Sequence, residues 1–519
     1  MKKQLIFSLI VAMTLATACK QEEKVEVPFP YGVKYEVFVM AFADSNGDGK
    51  GDLKGLTQKL DYFSDLGVNG LWLMPIMPSD TYHKYHVIDY KGIDPDYGTM
   101  EDFKTFIAEA HKRNIKVISD YIINHTGDKH PWFLESIKGK DNPYRDYYVW
   151  APKDSVEMLQ KEEVAGPDTD NAQRWHEIPG DTSGEMYYGY FNGQTPDLNF
   201  DNPKVRQEIY DAAKFWLTEV GVDGFRLDAA KHIFPNNRAT DNHAMWEEFR
   251  TEIQKIKPDA YLVGEVWSDS KTVAPYLKGL PSLFNFDLGY LITDVVKAGN
   301  DTLGLVKKYK AINDYYTSIT PDFLDATFVK NHDQLRILSE LEGNVEKAKL
   351  AAGILFTFPG TPYIYQGEEI GMVGLKVDMD RGQRESFIWA EGKSDPLQSN
   401  WYNAGFSTDK TVVPFSKQKD DPASIYNYYK NFIAFRNSSK VLTMGTIEES
   451  GLQINEILNF VRKYNQEECF VLHNVSDVEV TVQLTDELKR FTSLAFETKG
   501  ASFKDGGITL PAYSTAILK

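Results

Sequence analysis

Eight short apolar runs, set apart by helix-length segments, constrain this chain more than any other feature. They are Val37-Phe38-Val39-Met40, Gly70-Leu71-Trp72-Leu73, Lys116-Val117-Ile118, Gly224-Phe225-Arg226-Leu227, Tyr261-Leu262-Val263, Leu283-Phe284-Asn285-Phe286, Ala326-Thr327-Phe328-Val329 and Tyr363-Ile364-Tyr365. Near-continuous apolar runs of this length read as strands buried on both faces, and strands that alternate with helices pair in parallel. Eight such units predict an α/β chain with a (β/α)8 TIM barrel. A barrel of this kind uses roughly 250 residues before insertions, so a chain of 519 residues has room for further modules.

Two stretches break the rhythm. Some eighty residues rich in Tyr, Trp, Gly and Pro separate Asp120 from Pro203, far more than a usual βα loop; they predict an inserted subdomain (domain B) over 126–200, leaving 33–125 and 201–435 to the barrel. From about residue 440 the pattern becomes period-two, as in Ile457-Leu458-Asn459-Phe460-Val461, Cys469-Phe470-Val471-Leu472, Val478-Glu479-Val480-Thr481-Val482 and Ser514-Thr515-Ala516-Ile517-Leu518, which predicts a C-terminal antiparallel β-sandwich over 440–519.

The amino terminus has a charged start, Met1-Lys2-Lys3, and an apolar run from Leu5 to Ala18 that is short for a membrane span. Residues 1–18 read as a signal peptide. Leu15-Ala16-Thr17-Ala18-Cys19 resembles a bacterial lipoprotein cleavage site, making Cys19 the lipidation site and 19–32 a tether that holds the protein to a membrane through lipid alone. Only Cys469 remains besides Cys19, so the mature chain is expected to form no internal disulfide. A net charge of −18 argues against binding nucleic acid, whose phosphates demand basic patches; a neutral sugar suits it.

Polar residues gather where the predicted strands end, the face on which this architecture builds active sites. Asp120-Tyr-Ile-Ile-Asn124-His125 ends the third strand, Arg226-Leu-Asp228-Ala-Ala-Lys231-His232 the fourth, Gly264-Glu265-Val-Trp267 the fifth, and Asn331-His332-Asp333 the seventh. Arg226, two residues before Asp228, projects to the same side of its strand, where a cation keeps a carboxylate ionised. A water-poor cleft beside Trp267 would do the reverse for Glu265. Asp44-Ser-Asn46-Gly-Asp48-Gly-Lys-Gly-Asp52 places oxygen side chains at alternate positions around a tight turn, as a hard cation requires. Gly55 stands at the twelfth position, so this is no EF-hand.

In order and spacing, these strand-end segments resemble the conserved regions of the α-amylase family, glycoside hydrolase family thirteen. The resemblance implies a retaining double displacement with Asp228 as nucleophile, Glu265 as acid/base and Asp333 as the third carboxylate, binding sugar hydroxyls. It implies that His125 and His332 donate to the same sugar, that Tyr85 of Tyr82-His83-Lys84-Tyr85 stacks under it, and that Lys231 and His232 contact the reducing-side sugar. It also implies structural Ca2+ at Asp44, Asn46, Asp48 and Asp52, and a second Ca2+ at Asn124, Asp197 and the His232 carbonyl.

Ala229, Lys231 and His232 resemble endo-acting α-1,4 enzymes, whereas Pro196-Asp-Leu-Asn199 and Asn331-His-Asp-Gln334 lean toward members intermediate with oligo-1,6-glucosidases. The favoured expectation is an α-amylase acting on starch and maltooligosaccharides. An α-glucosidase or a 4-α-glucanotransferase uses the same residues, and a non-catalytic glucan-binding surface protein is disfavoured by the three intact carboxylates. The charged Lys20-Gln-Glu-Glu-Lys24 after the cysteine resembles signals that take lipoproteins to the outer surface of Gram-negative cells, a location compatible with partners in a glucan-uptake complex.

Overall fold

Lys34–Val37 (β1), Gly70–Leu73 (β2) and Lys116–Tyr121 (β3) begin a closed parallel barrel. Trp150–Pro152 (β4), Trp175–His176 (β5) and Glu185–Tyr188 (β6) form a small antiparallel sheet between β3 and the next barrel strand. Gly224–Leu227 (β7), Tyr261–Gly264 (β8), Ser282–Asn285 (β9), Ala326–Phe328 (β10) and Thr361–Tyr365 (β11) complete the barrel, in the order β1-β11-β10-β9-β8-β7-β3-β2. The computed structural model describes residues 27–163, 174–181, 183–403 and 405–519; the expected signal peptide, Cys19 and most of the tether lie outside the described residues. Among the described residues no helix is long and apolar enough to cross a membrane.

Side-chain alternation explains what fills the barrel. Trp72, Ile118, Val263, Phe284, Phe328 and Tyr363 form an apolar cluster of their own, and successive residues on one face of a strand lie two apart. Two residues beyond Ile118 that face carries Asp120, and two beyond Val263 it reaches Glu265. The parallel register sets Asp120 beside Arg226 and Glu36 beside Trp72, so charge collects in the layer above the apolar plug. The opposite faces of the strands, with Leu71, Val117, Phe225 and Leu262, join the larger core shared with the surrounding helices.

The first strand corrects the expectation. The apolar run Val37–Met40 is not the strand: β1 ends at Val37, and Val39–Ala41 is a turn of 3-10 helix. Lys34 and Glu36 are buried, and these polar residues masked a strand sought by apolarity. Phe286 likewise starts a helix instead of ending β9, with the Asn285 side chain accepting from Leu288 N at 2.9 Å.

The insertion carries a separate aromatic core of Trp175, Met186, Tyr188 and Tyr190. An isolated bridge from His125 to Asp197 ties its end to the barrel mouth, and another, Tyr148 to Leu198, closes it on itself. At the C-terminal end, Thr446–Glu448 (β12), Ile457–Tyr464 (β13), Glu467–Asn474 (β14), Val480–Gln483 (β15), Leu494–Glu497 (β16), Ser502–Lys504 (β17), Gly507–Leu510 (β18) and Thr515–Leu518 (β19) form two antiparallel sheets, β12-β13-β14-β19-β16 and β15-β18-β17. Phe470 and Leu472 meet Val482 and Ile508 between the sheets, while Leu458, Phe460 and Val471 pack with the barrel core. The larger sheet is therefore apolar on both faces, which is why its strands read as runs such as Cys469–Leu472.

Candidate active site

Asp228 directly follows β7 and Glu265 directly follows β8, so strand pairing itself places them as neighbours; Glu265 N donates to Leu227 O at 2.9 Å. Between these positions lies Ala229 with φ 46°, a left-handed backbone that L-residues rarely adopt. The turn brings Ala229 N to 3.3 Å from Glu265 Oε2 and Ala230 N to 3.0 Å from Glu265 O. Strain of this kind persists only where surrounding structure over-determines it.

Arg226 is the hub. Its Nη1 contacts Asp228 Oδ1 at 2.6 Å and both oxygens of Asp120 at 3.1 Å, and its Nη2 contacts Glu265 Oε2 at 2.8 Å. Trp72 Nε1 donates to Asp120 Oδ2 at 3.1 Å. On the far wall, His332 Nδ1 pairs with Glu36, while Nε2 lies 2.7 Å from the Tyr85 hydroxyl and 3.2 Å from Asp333 Oδ2. Arg384 Nη2 contacts Asp333 Oδ1 at 2.8 Å.

These contacts sort the carboxyls. Burial pushes Glu265 up to about 7, against Arg226 and with the help of the charges on Asp228 and Asp333. Burial also pushes Asp120 up. Partial burial also opposes ionisation of Asp333, which is half-buried, but His332 and Arg384 outweigh it and hold the carboxyl below its ordinary value. His332 is raised because Asp333 and Glu36 outweigh its own burial. Burial drives His125 down to about 3, so it stays neutral, with Nδ1 2.9 Å from Asn124 Oδ1.

A cleft of about 420 Å³ opens above this layer, lined among others by Tyr85, His125, Asp228, Lys231, His232, Glu265, Trp267 and Asp333. Every residue expected to act on substrate thus lies on the cleft wall or, for Arg226 and His332, buried directly behind it. Trp267 stacks on Phe286 at 4.5 Å and His232 on Tyr190 at 3.9 Å, fixing both rings. Sequence reasoning passed over Glu36, Asp120, Arg384 and Tyr82 as site residues. Asp120 had a signal, standing at the polar end of the third apolar run, whereas Glu36, two residues from Lys34 in a strand that no apolar run marks, had none. Arg384 and Tyr82 had none, since they come from loops.

The expected ion-binding residues fall in two places. In the loop after β1, Asp44 accepts from Asn46 N, Gly47 N and Gly49 N at 3.0, 2.7 and 2.8 Å, and Asp48 Oδ1 accepts from Lys50 N at 2.7 Å. Asp52 instead caps the helix Leu53–Gln58 through Gly55 N at 2.7 Å and also binds Ser45 N at 2.7 Å. At the second place, the Asn124 side-chain amide meets Asp197 Oδ2 at 3.2 Å and also the His232 carbonyl. Asp197 is buried, and burial raises its pKa well above the ordinary value. Among the described residues no three His, Cys, Asp or Glu side chains gather as a metal site, so an ion at either place relies partly on amide and carbonyl oxygens.

Residues 36–445 match the family model described as alpha amylase, catalytic domain, and residues 457–517 match the alpha-amylase SusG C-terminal domain. The chain is 43% identical to alpha-amylase 3 of Dictyoglomus thermophilum, over 93% of this chain and 92% of that one. It is 32% identical to an oligo-1,6-glucosidase of Parageobacillus thermoglucosidasius, over 88% of this chain and 92% of that one. The crystal structure of an alpha-amylase from H. orenii superposes with a TM-score of 0.83 at 41% identity, covering 94% of this chain and 99% of the other.

Proposed function

Because the chain belongs to the α-amylase family and is thus a glycoside hydrolase, we propose that it cuts internal α-1,4-glucosidic bonds of starch and maltooligosaccharides with retention of configuration. The observation that carries this reading is the sharing of one guanidinium, Arg226, by Asp228 and Glu265 at the floor of an open cleft. Asp228 attacks the anomeric carbon while protonated Glu265 gives its proton to the departing glycosidic oxygen. Glu265, now a carboxylate, takes a proton from water, whose oxygen displaces Asp228 and frees the sugar. Asp333 and neutral His125 hydrogen-bond the sugar at the cleavage site, Tyr85 lies against it, Trp267 offers an aromatic face beside Glu265, and Lys231 and His232 serve the reducing side.

Two inversions leave the fresh product in the α configuration. Early NMR spectra of a maltooligosaccharide digest check this, and a β-anomer burst would reject the mechanism. Chromatography of products from amylose over time checks the mode of attack. A ladder of short oligosaccharides is expected; glucose alone would indicate an α-glucosidase, and chains longer than the starting material a 4-α-glucanotransferase.

A structural Ca2+ belongs to this reading. Asp44, Asn46 and Asp48 supply carboxylate and amide oxygens around one turn, the donor set a hard cation takes, with Asp52 given to the helix cap. Asn124, Asp197 and the His232 carbonyl form a second candidate set, where a cation would offset the cost of ionising buried Asp197.

Location completes the proposal. Phe29 packs on Tyr261 at 5.3 Å and the Pro30 carbonyl accepts from Thr361 Oγ1 at 3.0 Å, both at strand starts, on the barrel face opposite Asp228. A lipid on Cys19 would then leave the cleft facing away from the membrane, as suits a cell-surface lipoprotein meeting polymeric starch beside glucan-uptake partners. Protease treatment of intact cells tests exposure, and a Cys19→Ala protein that still fractionates with membranes would remove the anchor.

A further inference from the structure

One wall of the cleft is a short loop after β11 whose base is pinned and whose tip is strained. At the base, Gly374 and Gly382 lie so close that a Cβ on either would strike backbone carbonyl oxygen, Gly382 O or Leu375 O; Gly374 N is further held by Ser339 Oγ at 2.9 Å. At the tip, Asp378, Met379 and Asp380 have φ of 50, 50 and 67°, three consecutive non-glycine residues in the left-handed region. Such residues normally occur singly, because Cβ crowds the neighbouring carbonyl.

The tip is held against the cleft. The Tyr82 hydroxyl donates to the Met379 carbonyl, the Arg381 guanidinium lies 4.5 Å from the Tyr82 ring centre, and Lys376 Nζ donates to Asp333 O at 3.2 Å. Met379 lines the cleft and yet is 72% exposed. Among the described residues, none buries this large apolar side chain on the cleft wall. The C–H face of a pyranose is a partner of matching chemistry, since contact removes apolar surface from both.

The barrel order says which sugar this is. β11 stands four strands from β7 in either direction around the ring, so the loop lies across the mouth from Lys231 and His232, which follow β7. Under the function proposed above, those two face the reducing-side sugar. We propose that Met379, presented by the strained loop 375–381, is a specificity-determining residue that packs on the glucose unit next along the chain on the non-reducing side of the one held by Asp228. The Tyr82 and Lys376 contacts hold the tip against the cleft, and the interaction grows only when a substrate extends that far. The inference rests on the α-1,4-glucanase reading.

Cleavage of p-nitrophenyl α-maltotrioside separates the two ideas. Each bond cut leaves one, two or three glucose units on the loop side, so the product ratio reports how much an added unit there contributes, independently of the amount of active protein. Met379→Ala is expected to shift that ratio at least threefold toward cuts that leave a single unit on the loop side. Asp378→Gly, at a strained position outside the cleft wall, should leave the ratio as in wild type. An unchanged ratio for Met379→Ala, or an equal shift for Asp378→Gly, overturns the side-chain contact. If wild-type protein cuts no α-1,4 bond in this substrate, the proposed function fails instead.

Discussion

The carboxylate of Asp228 lies 2.6 Å from Arg226 Nη1, on the nitrogen that also reaches Asp120. Replacing Asp228 by Asn keeps the size of the side chain but removes the proposed nucleophile, and Glu265→Gln removes the proposed proton donor. Each change should lower kcat roughly ten-thousand-fold, in the range seen when one member of a catalytic unit is deleted, with the circular dichroism spectrum unchanged. A folded Asp228→Asn protein of near-normal turnover would end the assignment.

Under the proposed mechanism, acid catalysis by Glu265 sets the alkaline limit. The group works while protonated, and burial with two neighbouring carboxylates raises its pKa to about 7. The profile of kcat/KM should therefore fall as pH rises through about 7, with the active form on the acid side. Measured on the free enzyme with a short maltooligosaccharide, a descending limb beginning below pH 5.5 would contradict the role of Glu265 as acid.

Calcium should act as a ligand of the folded state. With free Ca2+ held a hundredfold above its Kd, chelation is expected to remove about 2.7 kcal/mol of stability, seen as a lower melting temperature by calorimetry. Asp44→Ala should melt earlier in both buffers, because Asp44 holds three amides of its loop, and should lose part of the response to chelator. Identical melting of wild type with and without chelator removes Ca2+ from the proposal.

Arg462 joins the C-terminal module to the barrel. Buried, it donates to Leu442 O, Gly445 O and Thr446 O at 3.0, 2.7 and 2.9 Å and also to Thr357 O, at the end of a barrel helix. Arg462→Met strands buried carbonyls, and a cost of roughly 3 kcal/mol follows from leaving such groups unpaired. Urea unfolding should show the loss, with kcat on maltooligosaccharides retained in native buffer. A denaturation midpoint equal to that of wild type would mean that these bonds contribute nothing net.

The barrel and the positions of Asp228, Glu265 and Asp333 were legible in the sequence because each rests on local rules. Apolar runs of strand length mark the barrel, and a polar residue just past such a run stands at its mouth. The same rules misplaced β1, since Lys34 and Glu36 are buried by the tertiary closure of the ring and carry no local sign of it. Long-range contact alone decided the rest. Glu36 meets His332 and Arg384 meets Asp333 only once the barrel closes and the final loop folds back, and such pairs leave no trace in spacing. Met379 would pass as one more exposed loop residue until the loop is seen lying across the mouth from Lys231 and His232. Most of the strands and turns depend on residues a few positions apart, so the sequence alone located them, β1 excepted. The pairing of charges, and with it the pKa of Glu265, depends on distances between segments that only the closed fold sets.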